Sequence, residues 1–132
     1  MSSTFPEQYR DLVDRPIVAT LATTLPDGTP QATPIWFDYQ NGLIMFNTAV
    51  GRLKDRAVRM HPYVAVMVLD PNNGYRYVQF RGPVIEIDET NGRAGINALC
   101  KRYTGADIYT FGPPDEPRVT FWMRPEHIYA QG

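Results

Sequence analysis

Short runs that alternate between apolar and polar residues, separated by turn signals, follow one another along the chain. Residues 17–25 and 31–39 are rich in β-branched and aromatic side chains, and the Pro-Asp-Gly turn between them predicts a hairpin. Asn41 and Gly42 predict a second tight hairpin, which leads into a strand over residues 43–47. Residues 17–47 are therefore predicted to form antiparallel sheet.

The later runs predict a similar arrangement. Further strands are predicted over residues 61–70, 75–87, 118–123 and 126–130. Because Pro83 cannot donate a ladder hydrogen bond, the strand over residues 75–87 is expected to bend near residues 81–83. Strands joined by turns indicate a closed or nearly closed barrel.

Helical patterns occur at three places. Thr4 and Glu7 have the spacing of a capping box, which predicts a helix over residues 6–13. A second helix is predicted within residues 46–60, and a third over residues 88–103, where two glycines weaken it. Together the elements predict a mainly β (α+β) fold, a barrel with small helices packed on its outside.

The composition limits the classes of protein to which this chain can belong. A chain of 132 residues with 43% hydrophobic and 20% charged residues is predicted to form one domain over residues 1–132. The formal charge of −1 argues against a protein that holds nucleic acid. No apolar run has the length of a membrane span, and the polar N-terminal stretch is not typical of a secretory signal. We expect a cytoplasmic protein without a nucleic-acid or membrane partner.

Cysteine and histidine give no sign of a metal centre. Cys100 is the single cysteine, so the chain has neither an intrachain disulfide nor a cysteine-based metal site. His61 and His127 lie far apart, outside any ligand-spaced motif. No metal ligands are therefore assigned.

The stretch FNTAVGRLKDRAVRM, residues 46–60, carries the one local excess of positive charge. On a helical wheel Arg56 and Arg59 fall within roughly 40° of Arg52, whereas Lys54 falls at about 200°, inside the arc predicted to be buried. An unpaired ammonium group on the core side of a helix is costly. Lys54 is therefore expected to have an anionic partner.

Two interpretations of this stretch remain open. In the first, the arginines form a solvated face, and the alkyl chain of Lys54 carries its ammonium group out to water. Alternatively, a phosphate group is held by Thr48, Arg52, Lys54 and nearby backbone amides, because the first turn of a helix favours an anion.

Residues 17–68 resemble the split-barrel flavin and deazaflavin proteins related to pyridoxamine 5′-phosphate oxidase. The resemblance is carried by ATLATTLPDGTPQATPIWF, by the junction NTAVGRLK, by HP before the next strand and by YRYVQFRG, and it extends from about Ile17 to Tyr129. It is closest to the small branch that uses the deazaflavin coenzyme F420.

The resemblance implies a six-stranded antiparallel split barrel that forms a homodimer with the cofactor at its interface. It also implies the residues of the site. Arg52 and Lys54 would bind the cofactor phosphate with help from Thr48 and from the backbone of Ala49 to Gly51. Pro34, Ile35 and Trp36 would lie along the ring of the cofactor. Tyr75 and Tyr77 of the second subunit would close the pocket. For Trp36 ordinary interface packing is an alternative, and for the two tyrosines so is cross-strand aromatic packing.

The function predicted from the resemblance is a coenzyme F420-dependent oxidoreductase that transfers a hydride between the deazaflavin and a conjugated small-molecule acceptor. F420 is a longer anion than FMN, and Arg56 and Arg59 would suit its glutamate tail. The chain has no nucleophile elbow or zinc motif, in keeping with a cofactor that carries the reactive carbon, and no catalytic residue is assigned. The alternatives are an FMN-binding oxidoreductase of the same family and a non-catalytic protein that binds a flavin or a tetrapyrrole.

Overall fold

Antiparallel strands form the framework of residues 4–132, the part of the chain that this computed structural model describes. The eight strands are β1 (Ala19–Thr24), β2 (Pro30–Ile35), β3 (Asp38–Gln40), β4 (Leu43–Ala49), β5 (Tyr63–Leu69), β6 (Tyr77–Asp88), β7 (Arg118–Met123) and β8 (His127–Gln131). The three α-helices are α1 (Asp11–Asp14), α2 (Leu53–Met60) and α3 (Gly92–Thr104).

The sheet curls because β6 belongs to both of its halves. The strand order is β2-β1-β5-β6-β7-β4-β3, and β8 pairs with β6 outside this path. Residues 77–83 of β6 pair with β5, whereas residues 84–88 pair with β7. The mainly β split barrel with peripheral helices is thus confirmed.

The predicted bend of β6 is also confirmed, and it has a local cause. β6 changes its partner after Pro83, and its register on β7 shifts between Val84 and Glu86. The main chain of Arg124 lies so close to Gly82 that a Cβ there would overlap its carbonyl oxygen. Proline and glycine thus allow the strand to leave one half of the sheet and enter the other.

The predicted number of six strands is wrong, since residues 4–132 form eight. The run over residues 31–39 divides at Trp36 and Phe37, because β2 pairs with β1 up to Ile35 whereas β3 pairs with a different strand, β4, from Asp38 onward. β8 adds a strand at the edge of β6. The two predicted hairpins are confirmed, with β1 paired to β2 and β3 paired to β4.

The N-terminal helix also differs from its prediction. Residues 6–13 do not form one helix: a 3₁₀ turn over Glu7–Tyr9 is followed by α1, and the N-cap of the turn is Pro6 rather than Thr4. No side chain caps this turn. Arg76 holds the segment in place instead, through hydrogen bonds of 2.7 and 2.9 Å to the carboxylate of Asp11.

The core lies inside the curl of the sheet. Val64, Val66 and Val68 alternate along β5 and are at most 2% exposed. The rings of Phe46 on β4 and Phe121 on β7 pack with their centroids 5.2 Å apart. The run YVAVMVL is apolar at both faces, so the tertiary structure and not the sequence pattern decides that the three valines face inward.

Helix α3 packs unusually close to the sheet through its two glycines. A Cβ on Gly92 would overlap the backbone carbonyl of Arg118, and one on Gly95 would overlap the hydroxyl of Thr120 and lie 3.1 Å from Nδ2 of Asn47. The glycines lower the helical propensity, but they allow contacts that no larger residue permits.

We expect Gly92→Ala to lower the free energy of unfolding by about 1–3 kcal/mol, because overpacking against the β7 backbone outweighs the better helix propensity of alanine. Gly74→Ala is the matched control, since nothing lies within 4 Å of a Cβ at that position. Urea denaturation of both variants measures the difference. Equal stabilities would contradict the close approach of α3 to β7.

Candidate functional site

A cleft of about 370 Å³ opens where the end of β2, the turn between β4 and α2, helix α3 and the start of β7 meet. Its walls also include the segment over residues 105–117. The lining residues are Val18, Pro34, Ile35, Trp36, Asn47, Thr48, Arg52, Lys54, Ile96, Leu99, Tyr109, Phe111 and Arg118. One end of the cleft is therefore cationic and the other aromatic and aliphatic.

The turn between β4 and α2 places the first two cations. Gly51 has a φ of 88°, in the left-handed region that favours glycine, and this conformation directs the chain from the strand into the helix. The N–H of Val50 donates to the carbonyl of Pro117 at 2.9 Å, and that of Gly51 donates to Oδ2 of Asp55 at 2.8 Å. Because these amides are used within the chain, side chains supply the donors that face the cleft from this turn.

The wheel places Leu53, Ala57, Val58 and Met60 in the buried arc of α2, and this prediction is half confirmed. Ala57 and Val58 are buried, but Leu53 and Met60 are 38% and 57% exposed. Asp55, which lies outside the predicted arc, is only 3% exposed and is satisfied by the Gly51 amide and by Nε of Arg59 at 2.6 Å. The buried side of α2 is therefore rotated toward this carboxylate.

The same contacts correct the role of Arg59. Its guanidinium binds Asp55 and also Glu89, at 2.7 Å, so it is neither a freely solvated charge nor available to a ligand tail. Of the two arginines considered for that tail, Arg56 alone makes no side-chain hydrogen bond or ion pair within residues 4–132.

Lys54 lies where the helical wheel placed it, on the inner side of α2. It is partly buried, and no carboxylate or other acceptor within residues 4–132 contacts its ammonium group. Burial lowers the pKa of Lys54, and the charges of Arg52 and Arg118 lower it further. An ammonium group in this setting is stabilised by an anion.

Arg118 is the third cation of the cleft, and its side chain is only 6% exposed. Its Nε donates to Oδ1 of Asn47 at 2.9 Å, and its guanidinium lies 5.1 Å from the ring centroid of Tyr109. Burial lowers its pKa from the ordinary value. Arg118 is thus a positioned charge at the floor of the cleft.

Asn47 connects this charge to the surrounding structure. Its Nδ2 donates to the carbonyl of Gly92 at 2.8 Å and to the hydroxyl of Thr120 at 3.0 Å. Asn47 is 8% exposed, so each of these bonds fixes its amide in a dry environment. The amide holds Arg118 in one orientation.

A single carboxylate contacts these cations among the described residues. Glu116 approaches Arg52 at 3.6 Å and Arg118 at 3.5 Å. Three cationic groups therefore lie beside one carboxylate, which contacts two of them, and the net charge at this end of the cleft is positive. The arrangement can hold an anion such as a phosphate.

The other end of the cleft has an aromatic wall. The ring of Trp36 stacks on Tyr103 at 5.3 Å with an interplanar angle of 13°, and it meets the edges of Tyr109 and Phe111, each at 6.1 Å. The Tyr103 hydroxyl donates to the carbonyl of Ile17 at 2.6 Å. Trp36 is therefore fixed from behind, and its wall can accept a planar ring.

Six of the ten predicted site residues line this cleft: Pro34, Ile35, Trp36, Thr48, Arg52 and Lys54. The other four do not. Ala49 is buried behind the turn, Gly51 shapes the turn, Tyr75 is 81% exposed at a distance from the cleft, and Tyr77 packs against Tyr129 on the outer sheet face with centroids 6.1 Å apart.

Sequence reasoning missed Arg118, Glu116 and the two aromatic residues Tyr109 and Phe111. One feature of the sequence could have indicated Arg118: it is a charged residue at the start of the otherwise apolar strand RVTFWM. The segment over residues 105–117 has no hydrophobic periodicity, so nothing local indicated that it reaches the cleft.

No helix within residues 4–132 combines the length and the hydropathy that crossing a membrane requires. Nor do three or more His, Cys, Asp or Glu side chains of that range cluster in a way that could hold a metal ion.

Comparison with known proteins agrees with this geometry. The family model described as pyridoxamine 5′-phosphate oxidase matches residues 5–132. A solved structure named F420 reductase is 36% identical, with a TM-score of 0.83, over 95% of this chain and 98% of that one. A search of curated proteins finds no match.

More distant structures share the fold. A conserved hypothetical protein from Mycobacterium tuberculosis is 24% identical with a TM-score of 0.74, over 97% of this chain and 84% of that one. General stress protein 26 from Bacillus anthracis is 18% identical with a TM-score of 0.68, over 95% and 92%. The match of the family model over residues 5–132 shows that the chain belongs to the pyridoxamine 5′-phosphate oxidase family.

Proposed function

We propose that this protein is an oxidoreductase that binds coenzyme F420 in the cleft and transfers a hydride between it and a conjugated small-molecule acceptor. The observation that carries the proposal is the partly buried Lys54, which has no acidic partner within residues 4–132, beside Arg52 and Arg118 in a cleft with an aromatic wall. Similarity to the F420 reductase favours F420 over FMN.

The cationic end suits the phosphate of such a cofactor. Lys54 and Arg52 lie in and before the first turn of α2, where the helix dipole also favours negative charge. Thr48 lines the same end and is 4% exposed, so its hydroxyl can donate in a site with little water. These groups can satisfy a phosphate without help from the amides of the preceding turn.

The aromatic end suits the planar ring. Residues 34–36 run along one side of the cleft, and the fixed indole of Trp36 limits how the ring can tilt. A bound deazaflavin supplies the hydride-carrying carbon, so the protein needs no nucleophile. The role of these residues is to orient the ring and to exclude water from one of its faces.

We also propose a homodimer with the cofactor at its interface. Met67 and Leu69 on β5, Tyr77 on β6 and Tyr129 on β8 project from the same outer face of the sheet, and Leu69 and Tyr129 are 40% and 42% exposed. A face of methionine and aromatic residues is typical of protein interfaces. Tyr75 stands 81% exposed beside it, where it can reach a partner's cleft.

Cofactor preference is the first measurement. We expect the purified protein to bind F420 with micromolar or tighter affinity and FMN more weakly, as measured by fluorescence or calorimetric titration. Tighter binding of FMN would move the protein to an FMN-dependent reaction. Absence of binding by both would show that the cleft takes a different ligand.

Lys54→Ala should weaken F420 binding by at least about tenfold, because it removes a charge-assisted hydrogen bond to the phosphate. The control is Lys101→Ala, which removes the same ammonium group from an exposed position outside the cleft, where it pairs with the exposed Asp107, and should change the affinity by no more than about twofold. Arg59 is unsuitable as a control because it pairs with the buried Asp55, and Arg56 is unsuitable because it is a candidate for the cofactor tail. Equal small effects at positions 54 and 101 would argue against the phosphate site.

The affinity should also depend on pH in a defined direction. The pKa of Lys54 is lowered in the free protein, and a bound phosphate raises it again, so binding weakens as pH rises above the lowered value toward the ordinary 10.5. Lys54→Arg should bind with little change over the same range, since arginine keeps its charge. Titrations from neutral to alkaline pH, with circular dichroism to verify folding, provide the measurement. An identical pH profile for the two proteins would exclude Lys54 as the group responsible.

A further inference from the structure

Glu116 occupies a distinctive position at the cationic end of the cleft. It is the only carboxylate within residues 4–132 that contacts a cation lining the cleft, and it contacts two, Arg52 at 3.6 Å and Arg118 at 3.5 Å. Asp55, the acidic residue of α2, is directed away to the Gly51 amide and to Arg59. Glu116 thus provides the only opposite charge for a partly dehydrated cationic site.

Two hydrogen bonds anchor the backbone around Glu116, so the fold places its side chain near Arg52 and Arg118. Its carbonyl accepts a hydrogen bond of 2.5 Å from Arg93, and the carbonyl of Pro117 accepts one of 2.9 Å from Val50 at the strand-to-helix turn. These bonds hold the backbone of Glu116 within reach of the cations, whereas its side chain can still change rotamer.

The ion pairs themselves are loose. Strong pairs between a guanidinium and a carboxylate have N···O distances of about 2.7–2.9 Å and are often bidentate. Both contacts of Glu116 are longer than this, and its side chain retains 21% exposure. Glu116 balances charge without making the short bonds that a well-placed phosphate makes, and Lys54 gains no contact from it.

We propose that Glu116 is an internal competitor for the anion site: it neutralises Arg52 and Arg118 when no anion is bound, and a phosphate displaces it. This inference rests on the proposed function, because it assumes that the cationic end binds a phosphate. The carboxylate lowers the affinity for anions and at the same time stabilises the ligand-free protein, since Arg118 would otherwise be a buried charge without a counterion.

Displacement of the carboxylate also affects the aromatic wall. Gly112 lies next to both Glu116 and Tyr109. A Cβ at this position would be 3.2 Å from Oε1 of Glu116 and 3.6 Å from the ring of Tyr109. Glu116 therefore packs against the segment that carries Tyr109 and Phe111, both of which meet Trp36. Movement of the carboxylate changes the support of this wall, which links anion binding to the place where a ring is held.

The test compares Glu116→Gln with Asp115→Asn, a matched variant that removes one negative charge from the neighbouring exposed position without touching the cations of the cleft. Inorganic phosphate and F420 are titrated separately into each full-length protein. We expect Glu116→Gln to bind phosphate about fivefold more tightly than wild type, the effect expected for two partly exposed ion pairs, and Asp115→Asn to bind it as wild type does.

Thermal unfolding supplies a second readout, in which the gain in Tm on adding phosphate, and not the Tm of the free protein, separates the competitor role from a structural one. Without phosphate, Glu116→Gln should unfold at a lower temperature than wild type, and saturating phosphate should raise its Tm more than that of wild type. The salt dependence of phosphate binding should also be steeper in this variant, because the uncompensated charge of the site is larger.

The outcomes separate the two proposals. Weaker phosphate binding by Glu116→Gln would overturn the inference, because it would mean that the carboxylate orients the arginines for binding. Equal effects of the two substitutions would also overturn it, since general charge would then explain the change. If wild type binds phosphate but not F420, the proposed function fails, while tighter phosphate binding by Glu116→Gln still supports the competitor role.

Discussion

The antiparallel register between β4 and β7 is the constraint on which the candidate site depends. It places Ala49 opposite Arg118 and Asn47 opposite Thr120, so the end of one strand and the beginning of the other meet at the floor of the cleft. The hydrogen bond from Arg118 to Asn47 then fixes a buried guanidinium beside the turn that carries Arg52 and Lys54. A one-residue slip of this register would turn Arg118 to the opposite face of the sheet.

Helix α3 completes the cleft because it can approach these two strands closely. The absence of a Cβ at Gly92 and Gly95 lets the helix rest on the backbone of β7 and on the Asn47 amide. The same helix carries Tyr103, whose hydroxyl accepts a hydrogen bond from the N–H of Phe37, next to Trp36, and donates one to the carbonyl of Ile17. A low helical propensity is thus the consequence of a packing requirement, and the packing positions both ends of the cleft.

The cleft holds three cationic side chains in a place with little water, and this arrangement determines its electrostatics. Burial lowers the pKa of Lys54 and that of Arg118, and the charge of Arg52 lowers both further. Glu116 relieves part of this cost through two loose contacts. A site of this kind binds an anion strongly because the free protein is not fully compensated, and in the proposed function the anion is the cofactor phosphate.

The sequence by itself determined the elements whose signals are local. A continuous apolar run identified β5, turn residues identified the two hairpins, and helical spacing placed Lys54 on the inner side of α2. Only the tertiary structure decided that Asp55 would be buried, that the run over residues 31–39 would divide, and that Arg118 and Glu116 would join Arg52. The physical reason is distance along the chain: Asn47 and Arg118 are 71 residues apart, and their contact depends on strand pairing and helix packing that no local pattern encodes.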